Sequence, residues 1–468
     1  MCGLIAHRGF ESRSLRQIGI EKRAPCCLGR VFFRLVRLGE PSVSLRGHPV
    51  DPAASDGTPP ANPVPPRVLA VLLAAQFCGT SLWFAANAVM PDLEAVHGWP
   101  PQTAAALTST LQLGFIAGTL FFALLAIADR FPPRWVFLVC SLGGAACTLG
   151  SGWWAHDLAG LKVWRGAAGF CLAGIYPVGM KIASQWYRQG LGHALGWLLA
   201  ALVLGSASPH ALRGLAALGA EVQWQWVFPG VAALVIFGGV LQFVCLPDAP
   251  GARNLERHAQ GFDVRALATV WTDRRVRASV FGYFGHMWEL YAMWVAVPLL
   301  LSARLEGAAV SFLAFLVLGS GAVTCAWGGQ WSRRWGSARV AAGFLLTSGV
   351  CALLAPWMVE GPDVVFYTWL LVWGLSVSSD SPQFSALTAR NAPAHAVGSV
   401  LTLTNSIGFS ISIISIEWIS HLLEAWPVAQ LMPLLAVGPV VGLCMLKPLL
   451  AAPSSKLSPA GQAPADKG

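Results

Sequence analysis

Residues 307–332 read GAAVSFLAFLVLGSGAVTCAWGGQWS, 26 consecutive positions without Asp, Glu, Lys or Arg, entered after Glu306 and left at Arg333 and Arg334. As a helix rising about 1.5 Å per residue this stretch would be about 39 Å long, more than the roughly 30 Å hydrocarbon core of a bilayer. Seven more charge-free windows occur, at 68–91, 97–128, 135–156, 193–212, 222–247, 340–359 and 425–446. Four further windows are long enough when one or two ionisable residues are allowed inside: 158–186 with Arg165 and Lys181, 278–302 with Glu289, 364–389 with Asp380, and 396–422 with Glu417. The expectation is an all-α membrane protein of twelve transmembrane helices.

Composition excludes the main competing class. The 468 residues are 55% hydrophobic and 11% charged, whereas a soluble domain carries roughly 25% charged residues on its surface. The net charge of +9 is not a nucleic-acid footprint, because the Lys and Arg residues sit in particular loops and tails rather than along one face. The cysteines within apolar windows, such as Cys78, Cys147, Cys325 and Cys351, form no C-x-x-C or Cys/His cluster, so neither a metal nor a disulfide framework is expected.

Loop charges set an orientation, since Lys and Arg accumulate on the cytoplasmic side. One set of loops receives the segment ending at Arg67, then Arg130 and Arg134, Arg188, residues 253–277, Arg333, Arg334 and Arg339, Arg390, and Lys447. The opposite set receives Asp92 and Glu94, Asp157, Glu221, Glu306, Glu360, Asp363 and Glu424. Both termini are therefore expected in the cytoplasm, with the chain in a cell (inner) membrane.

Residues 1–66, rich in Arg and then in Pro, read as a dispensable cytoplasmic tail or a start assigned too far upstream, and 451–468 as a second tail. The polar stretch 247–277 divides six windows from six, giving an N-terminal half at 67–246 and a C-terminal half at 278–450. Six is even, so both halves enter from the same side and an internal repeat would be parallel. Pro91 and Pro298 stand 207 apart, Pro177 and Pro382 stand 205 apart, and the basic turns at Asp129-Arg130 and Arg333-Arg334 stand 204 apart.

The turn with Leu125, Asp129, Arg130, Pro132 and Arg134 resembles the G-x-x-x-D-R-x-G-R/K-R/K turn of the major facilitator superfamily, with Leu and Pro in place of its glycines. The second copy, Gly329, Arg333, Arg334, Gly336 and Arg339, keeps both glycines and has Arg where the pattern has Asp. Arg165, Gly169 and Gly174, and then Gly192, Gly196, Gly205 and Pro209, resemble that family's fourth and fifth helices. The stretches around Tyr176-Pro177 to Lys181 and Ser379-Asp380 to Ser385 are loosely similar to its nitrate/nitrite porter group. Nitrate itself is disfavoured, because that group carries an Arg in the second and eighth helices and neither 97–128 nor 307–332 contains one. The resemblance implies two parallel six-helix repeats, a secondary transporter functional as a monomer, Asp129, Arg130, Arg333 and Arg334 at the conformational turns, and helices 1, 4, 7 and 10 around the solute path.

Embedded charges point to the same path. A charge in hydrocarbon costs at least about 2.5–3.5 kcal/mol on insertion scales, so such residues face a cavity or a partner. Glu289 lies 12 residues from Arg277 and 15 from Arg304, which places it near the midplane, with His286 one turn away. The candidate pathway set is Arg165, Lys181, His286, Glu289 and Asp380, joined by Gln383, Tyr176 and Asn87; Gln76, Trp83, Tyr283 and Trp294 would add polar and aromatic contacts. Each charge also has a structural reading: Lys181 reaching the interface, Arg165 paired to a carboxylate, Asp380 bending its helix before Pro382, and Glu289 neutralised or paired.

No H-E-x-x-H, G-x-S-x-G, phosphate loop or carbonyl filter is present, which disfavours a membrane enzyme, an ATP-driven pump and a channel. The expected work is movement of a small solute, an anion taken up with protons, with export of a metabolite or drug as the alternative. No cofactor, metal or nucleic-acid partner is expected; the bilayer is.

Overall fold

The computed structural model describes residues 64–100, 102–153, 157–187, 191–218, 224–249, 265, 268–393 and 396–451. The tail expected at 1–66 lies outside them up to residue 63, as do most of the expected linker and residues 452–468. Every regular element among the described residues is helical. The principal helices are α1 (Pro66–Thr80), α2 (Met90–His97), α3 (Thr103–Leu124), α4 (Pro133–Trp153), α5 (Leu158–Leu172), α6 (Tyr176–Trp186), α7 (Leu191–Leu218) and α8 (Val227–Cys245). They are followed by α9 (Arg274–Ser302), α10 (Ala308–Trp335), α11 (Ser337–Glu360), α12 (Asp363–Val377), α13 (Ser381–Asn391), α14 (Val397–Leu422) and α15 (Val437–Leu450).

Ten helical stretches are long and apolar enough to cross a bilayer, one of them running from α5 into α6. Windows 68–91 and 364–389 are interrupted: the first is α1 followed by turns, a 3-10 turn at Asn87–Val89 and the start of α2, and the second is α12 followed by α13. In the first, the Thr80 hydroxyl donates back to the Gln76 carbonyl at 2.9 Å and the Ser81 hydroxyl to the Cys78 carbonyl at 2.6 Å, and turns fill the interval to Asn87. In the second, α12 ends at Val377 and α13 restarts with Pro382 in its first turn. A proline lacks the N–H that a continuing helix needs and disfavours helical backbone before it, but it suits a helix start. Pro177 plays the same part at the start of α6, so the two prolines 205 apart mark the same kind of break.

The surface is inverted relative to a soluble protein. Leu113, Phe121, Val139, Val163, Phe237, Val244, Leu316, Val323 and Leu346 are exposed, while Gln76, Gln112, Arg165, Gln242, Glu289 and Asp380 are buried. Exposed apolar side chains in this number suit lipid contact.

Packing follows two matching schemes. In the first six windows α1 lies against α7 and α8, α3 against α5, and α4 against α5 and α8. In the last six α9 lies against α14 and α15, α10 against α12, and α11 against α12 and α15. The two groups meet where α7 runs along α10 and α3 along α14. Glycines permit the closest approaches: a Cβ on Gly169 of α5 would sit 2.0 Å from the Leu111 carbonyl oxygen of α3, and one on Gly374 of α12 would sit 2.2 Å from that of Val317 on α10. Both are packing positions with no room for a side chain.

Candidate functional site

The break after α1 leaves carbonyls without helical partners, and Arg165 of α5 takes two of them. Its Nη2 donates to the Leu82 oxygen at 3.0 Å and to the Trp83 oxygen at 2.7 Å. Arg165 is fully buried, and its Nε and Nη1 have no partner among the described residues. No carboxylate lies within salt-bridge distance of it there, so the expected carboxylate partner is replaced by carbonyl dipoles.

Glu289 of α9 is also buried. Its Oε2 accepts from the Ser348 hydroxyl of α11 at 2.8 Å, and its Oε1 from the Trp373 indole N–H of α12 at 2.7 Å. Among the described residues no cation reaches it: neither Arg165 nor Lys181 pairs with it, and His286 turns elsewhere. His286 Nδ1 lies 2.7 Å from Asp380 Oδ1, and both side chains are 1% exposed. This pair joins α9 to the break between α12 and α13, where Asp380 holds the start of α13 through its backbone carbonyl, which accepts from the Gln383 and Phe384 N–H groups. His286 therefore faces Asp380 rather than Glu289.

The other sequence candidates scatter. The Lys181 ammonium donates to the Ala128 carbonyl in the short helix Ile127–Arg130, tying α6 to that turn. Asn87 donates from Nδ2 to the Thr108 hydroxyl at 2.8 Å and the Ala104 carbonyl at 3.2 Å, joining the end of window 68–91 to α3. Tyr176 packs its ring 6.4 Å from Phe115, and Gln383 is buried beside Gly328 of α10. Asp129 lies in Ile127–Arg130, with its side chain outside the described residues. Arg130, Arg333 and Arg334 are exposed; the last two sit in the final turn of α10, where cations favour the helix dipole.

Sequence reading missed the aromatic cluster at mid-bundle. Trp83 lies 5.4 Å from Tyr291 at 17°, 5.2 Å from Phe115 and 5.5 Å from Phe409. Phe84 lies 5.4 Å from Trp294 and 6.4 Å from Tyr291, and Tyr291 in turn 5.8 Å from Trp294 and 5.4 Å from Phe409. These rings come from the break after α1 and from α3, α9 and α14, and so from both six-window groups. Of these residues, Trp83 and Trp294 had been singled out, but among 21 tryptophans neither carries a distinguishing signal. A small, largely apolar crevice of about 20 Å³ is lined by Ala105, Val295, Ala296, Leu299, Ile416 and Ile419, and none of the embedded charges borders it.

A helical bundle with an apolar surface, buried charges and a ring cluster between two groups of helices is the build of a polytopic membrane protein. The chain belongs to the Major Facilitator Superfamily, whose sequence model matches residues 72–416. In fold it is similar to the major facilitator proton:xylose symporter XylE bound to 6-bromo-6-deoxy-D-glucose, with a TM-score of 0.64 over 82% of this chain and 96% of that one, at 10% sequence identity. No curated protein matches the sequence. The protein is a multi-pass membrane transporter.

Proposed function

We propose that the protein is a secondary active transporter that takes up a small anion together with protons by alternating access. The observation that carries the coupling is Glu289, a buried carboxyl held by one O–H and one N–H with no cation beside it. An ionised carboxylate sealed in such a place is an uncompensated charge, and binding a proton removes it. Asp380 differs, because His286 stands against it as a built-in partner. The anion preference is supported by Arg165, a buried cation with no carboxylate partner among the described residues.

The chain crosses the membrane twelve times in two parallel six-helix repeats, with windows 68–91 and 364–389 spanning as broken helices. Supporting this are the paired packing schemes, the matched breaks at Pro177 and Pro382, and Gly169 and Gly374, which stand 205 apart at corresponding crossings. The positive-inside pattern supports a cell-membrane protein with both termini cytoplasmic, acting as a monomer. Loop ion pairs clip each end: Arg134 lies 3.3 Å from Asp248 at the basic end, and Arg213 lies 2.7 Å from Asp92 at the acidic end.

The test is Glu289→Gln in proteoliposomes. Accumulation driven by an imposed pH gradient should be lost while counterflow exchange of the solute survives, because binding and rocking do not need the proton. Accumulation at the normal proton stoichiometry would move the coupling to Asp380. The aromatic lining of the centre favours one alternative, export of a metabolite in exchange for protons, which would appear as uptake into inverted vesicles only.

A further inference from the structure

Resting on the reading of Glu289 as the coupling carboxyl, we infer that Ser348 and Trp373 are its positioning residues. The Trp373 indole keeps Oε1 an acceptor whether or not a proton is bound, the coupling proton sits on Oε2, and the Ser348 hydroxyl reverses its hydrogen bond each time that proton binds or leaves.

The two oxygens of Glu289 have unlike neighbours. Oε1 accepts from Trp373 Nε1 at 2.7 Å and Oε2 from Ser348 Oγ at 2.8 Å, and all three side chains are at most 1% exposed. An indole N–H only donates, whereas a hydroxyl both donates and accepts. A proton on Oε1 would point at the Trp373 N–H or into surroundings where no other described residue bonds that oxygen. A proton on Oε2 meets Ser348 Oγ, which can accept it. The hydrogen of Ser348 then needs a second acceptor, and one is in place: the Leu345 carbonyl oxygen on the same helix, 3.2 Å from Ser348 Oγ.

Proton binding therefore takes one H⁺ from water, forms one O–H bond at Oε2 and leaves the O–H of Ser348 intact. Before it, Ser348 donates to the carboxylate. After it, Oε2–H donates to Ser348, whose own hydrogen turns to Leu345. Glu289, Ser348 and Trp373 keep their polar atoms partnered in both states, as buried groups do as a rule. Release of the proton reverses the same turn.

Trp373 adds a reading of position. Hydrogen bonds to an ionised acceptor are roughly twice as strong as neutral ones, so its N–H stabilises the carboxylate more than the neutral acid. The titratable groups that act on Glu289 electrostatically are Cys351 on α11 and Asp380 at the break, the latter against His286. Elsewhere on α10 to α15 they are Cys325, beside Asp380, the half-buried Tyr367 and groups at exposed positions; on α9 they are Tyr283, Tyr291 and the arginines of its first turn. None of these supplies a cation to Glu289, so its two donors carry the compensation. Trp373 stands one turn before the end of α12, next to the break ahead of α13. A movement of α12 that lengthens its bond to Oε1 favours the protonated form, and one that restores the bond favours release. Proton affinity thereby differs between conformations, which is the differential interaction that coupling requires.

The experiment is infrared difference spectroscopy of the purified full chain in lipid during a pH titration, with the proton as the probe. The carboxyl C=O band that grows on acidification and is missing in Glu289→Gln reports the protonated acid. With Oε1 as the carbonyl oxygen, Trp373→Phe should move this band to higher wavenumber. Its midpoint should become more alkaline by about one pH unit, the difference between a hydrogen bond to a charged and to a neutral acceptor. Ser348→Ala removes a donor from one state and an acceptor from the other, so the midpoint should move by about half a unit at most, and the band by less than in Trp373→Phe. Trp369→Phe, one turn away with its N–H on the Cys351 carbonyl at 2.9 Å, should change neither. A midpoint indifferent to Trp373→Phe overturns the inference. So does a larger band shift in Ser348→Ala than in Trp373→Phe, which puts the proton on Oε1. Where Trp373→Phe fails to fold, Ser348→Ala decides alone: a band that stays in the hydrogen-bonded range upholds Oε1 as the carbonyl oxygen, and a free C=O overturns it. The transport reading fails separately. If the band shifts appear but Glu289→Gln still accumulates solute at the normal proton stoichiometry, the proton's place on Oε2 stands and the coupling moves to Asp380. Absence of any Glu289-dependent band over the pH range in which the protein stays folded removes both.

Discussion

At the residue scale, Arg165 in the first six windows and Glu289 in the last six are both buried at junctions of helices, and the two are stabilised in different ways. Arg165 is held by backbone carbonyls that a broken helix leaves free, while Glu289 is held by a hydroxyl and an indole N–H from two neighbouring helices. The guanidinium thus doubles as the cap of a helix break, and Arg165→Met should leave the Leu82 and Trp83 carbonyls without it. Each unsatisfied buried group costs about 1–3 kcal/mol, so the apparent melting temperature in detergent should fall by several degrees. An unchanged melting temperature would show that the break needs no clamp. The charges themselves were legible, because an Arg or Glu inside an apolar window is conspicuous. Their partners were not: a main-chain carbonyl carries no sequence mark, and Ser348 and Trp373 are ordinary members of windows full of Ser and Trp. The same limit hid the ring cluster, since distance between rings is set by packing and not by spacing along the chain.

At the element scale, sequence located the apolar windows, while the interruptions inside 68–91, 158–186 and 364–389 leave their apolar character unchanged. Pro177 and Pro382 were visible as repeat markers, but the break after Thr80 has no proline inside it and depends on side-chain hydroxyls and on Arg165 from another helix. The basic turns show a related trade. In the second copy Gly336 holds a φ of +84°, a conformation natural for glycine, whereas the first copy places Ala126 at φ +49°, the one described non-glycine residue with positive φ. A left-handed alanine carries a penalty of roughly 1 kcal/mol that glycine avoids. Gly336 has a ψ of +143°, in a region open essentially to glycine, so Gly336→Ala should lower stability by about 1–3 kcal/mol, whereas Ala126→Gly should be neutral or stabilising by up to about 1 kcal/mol. Thermal unfolding of the two variants side by side checks the sign; a stabilised Gly336→Ala would mean that the turn rearranges.

At the scale of the whole molecule, the charge-poor windows made the class legible, but not the surfaces on which the two groups meet. Those are α7 against α10 and α3 against α14, and the first seam is closed along its length. Near the basic end a Cβ on Gly329 would lie 3.9 Å from the Gly192 carbonyl oxygen, and near the acidic end a Cβ on Gly214 would lie 3.0 Å from the Phe312 ring. Rocking of two packed bodies about a central site must open one end while the other stays shut, so each end parts at some point in the cycle. A covalent tie at either end should stop transport. We expect Gly192→Cys with Gly329→Cys, and separately Gly214→Cys with Phe312→Cys, made in a background with the eleven native cysteines replaced, to lose uptake when treated with a short methanethiosulfonate cross-linker and to regain it on reduction. Each single-cysteine parent should transport normally under the same treatment, which separates the tie from the substitution. Full uptake by a cross-linked protein would show that the seam between α7 and α10 does not open and that movement runs along α3 and α14 instead.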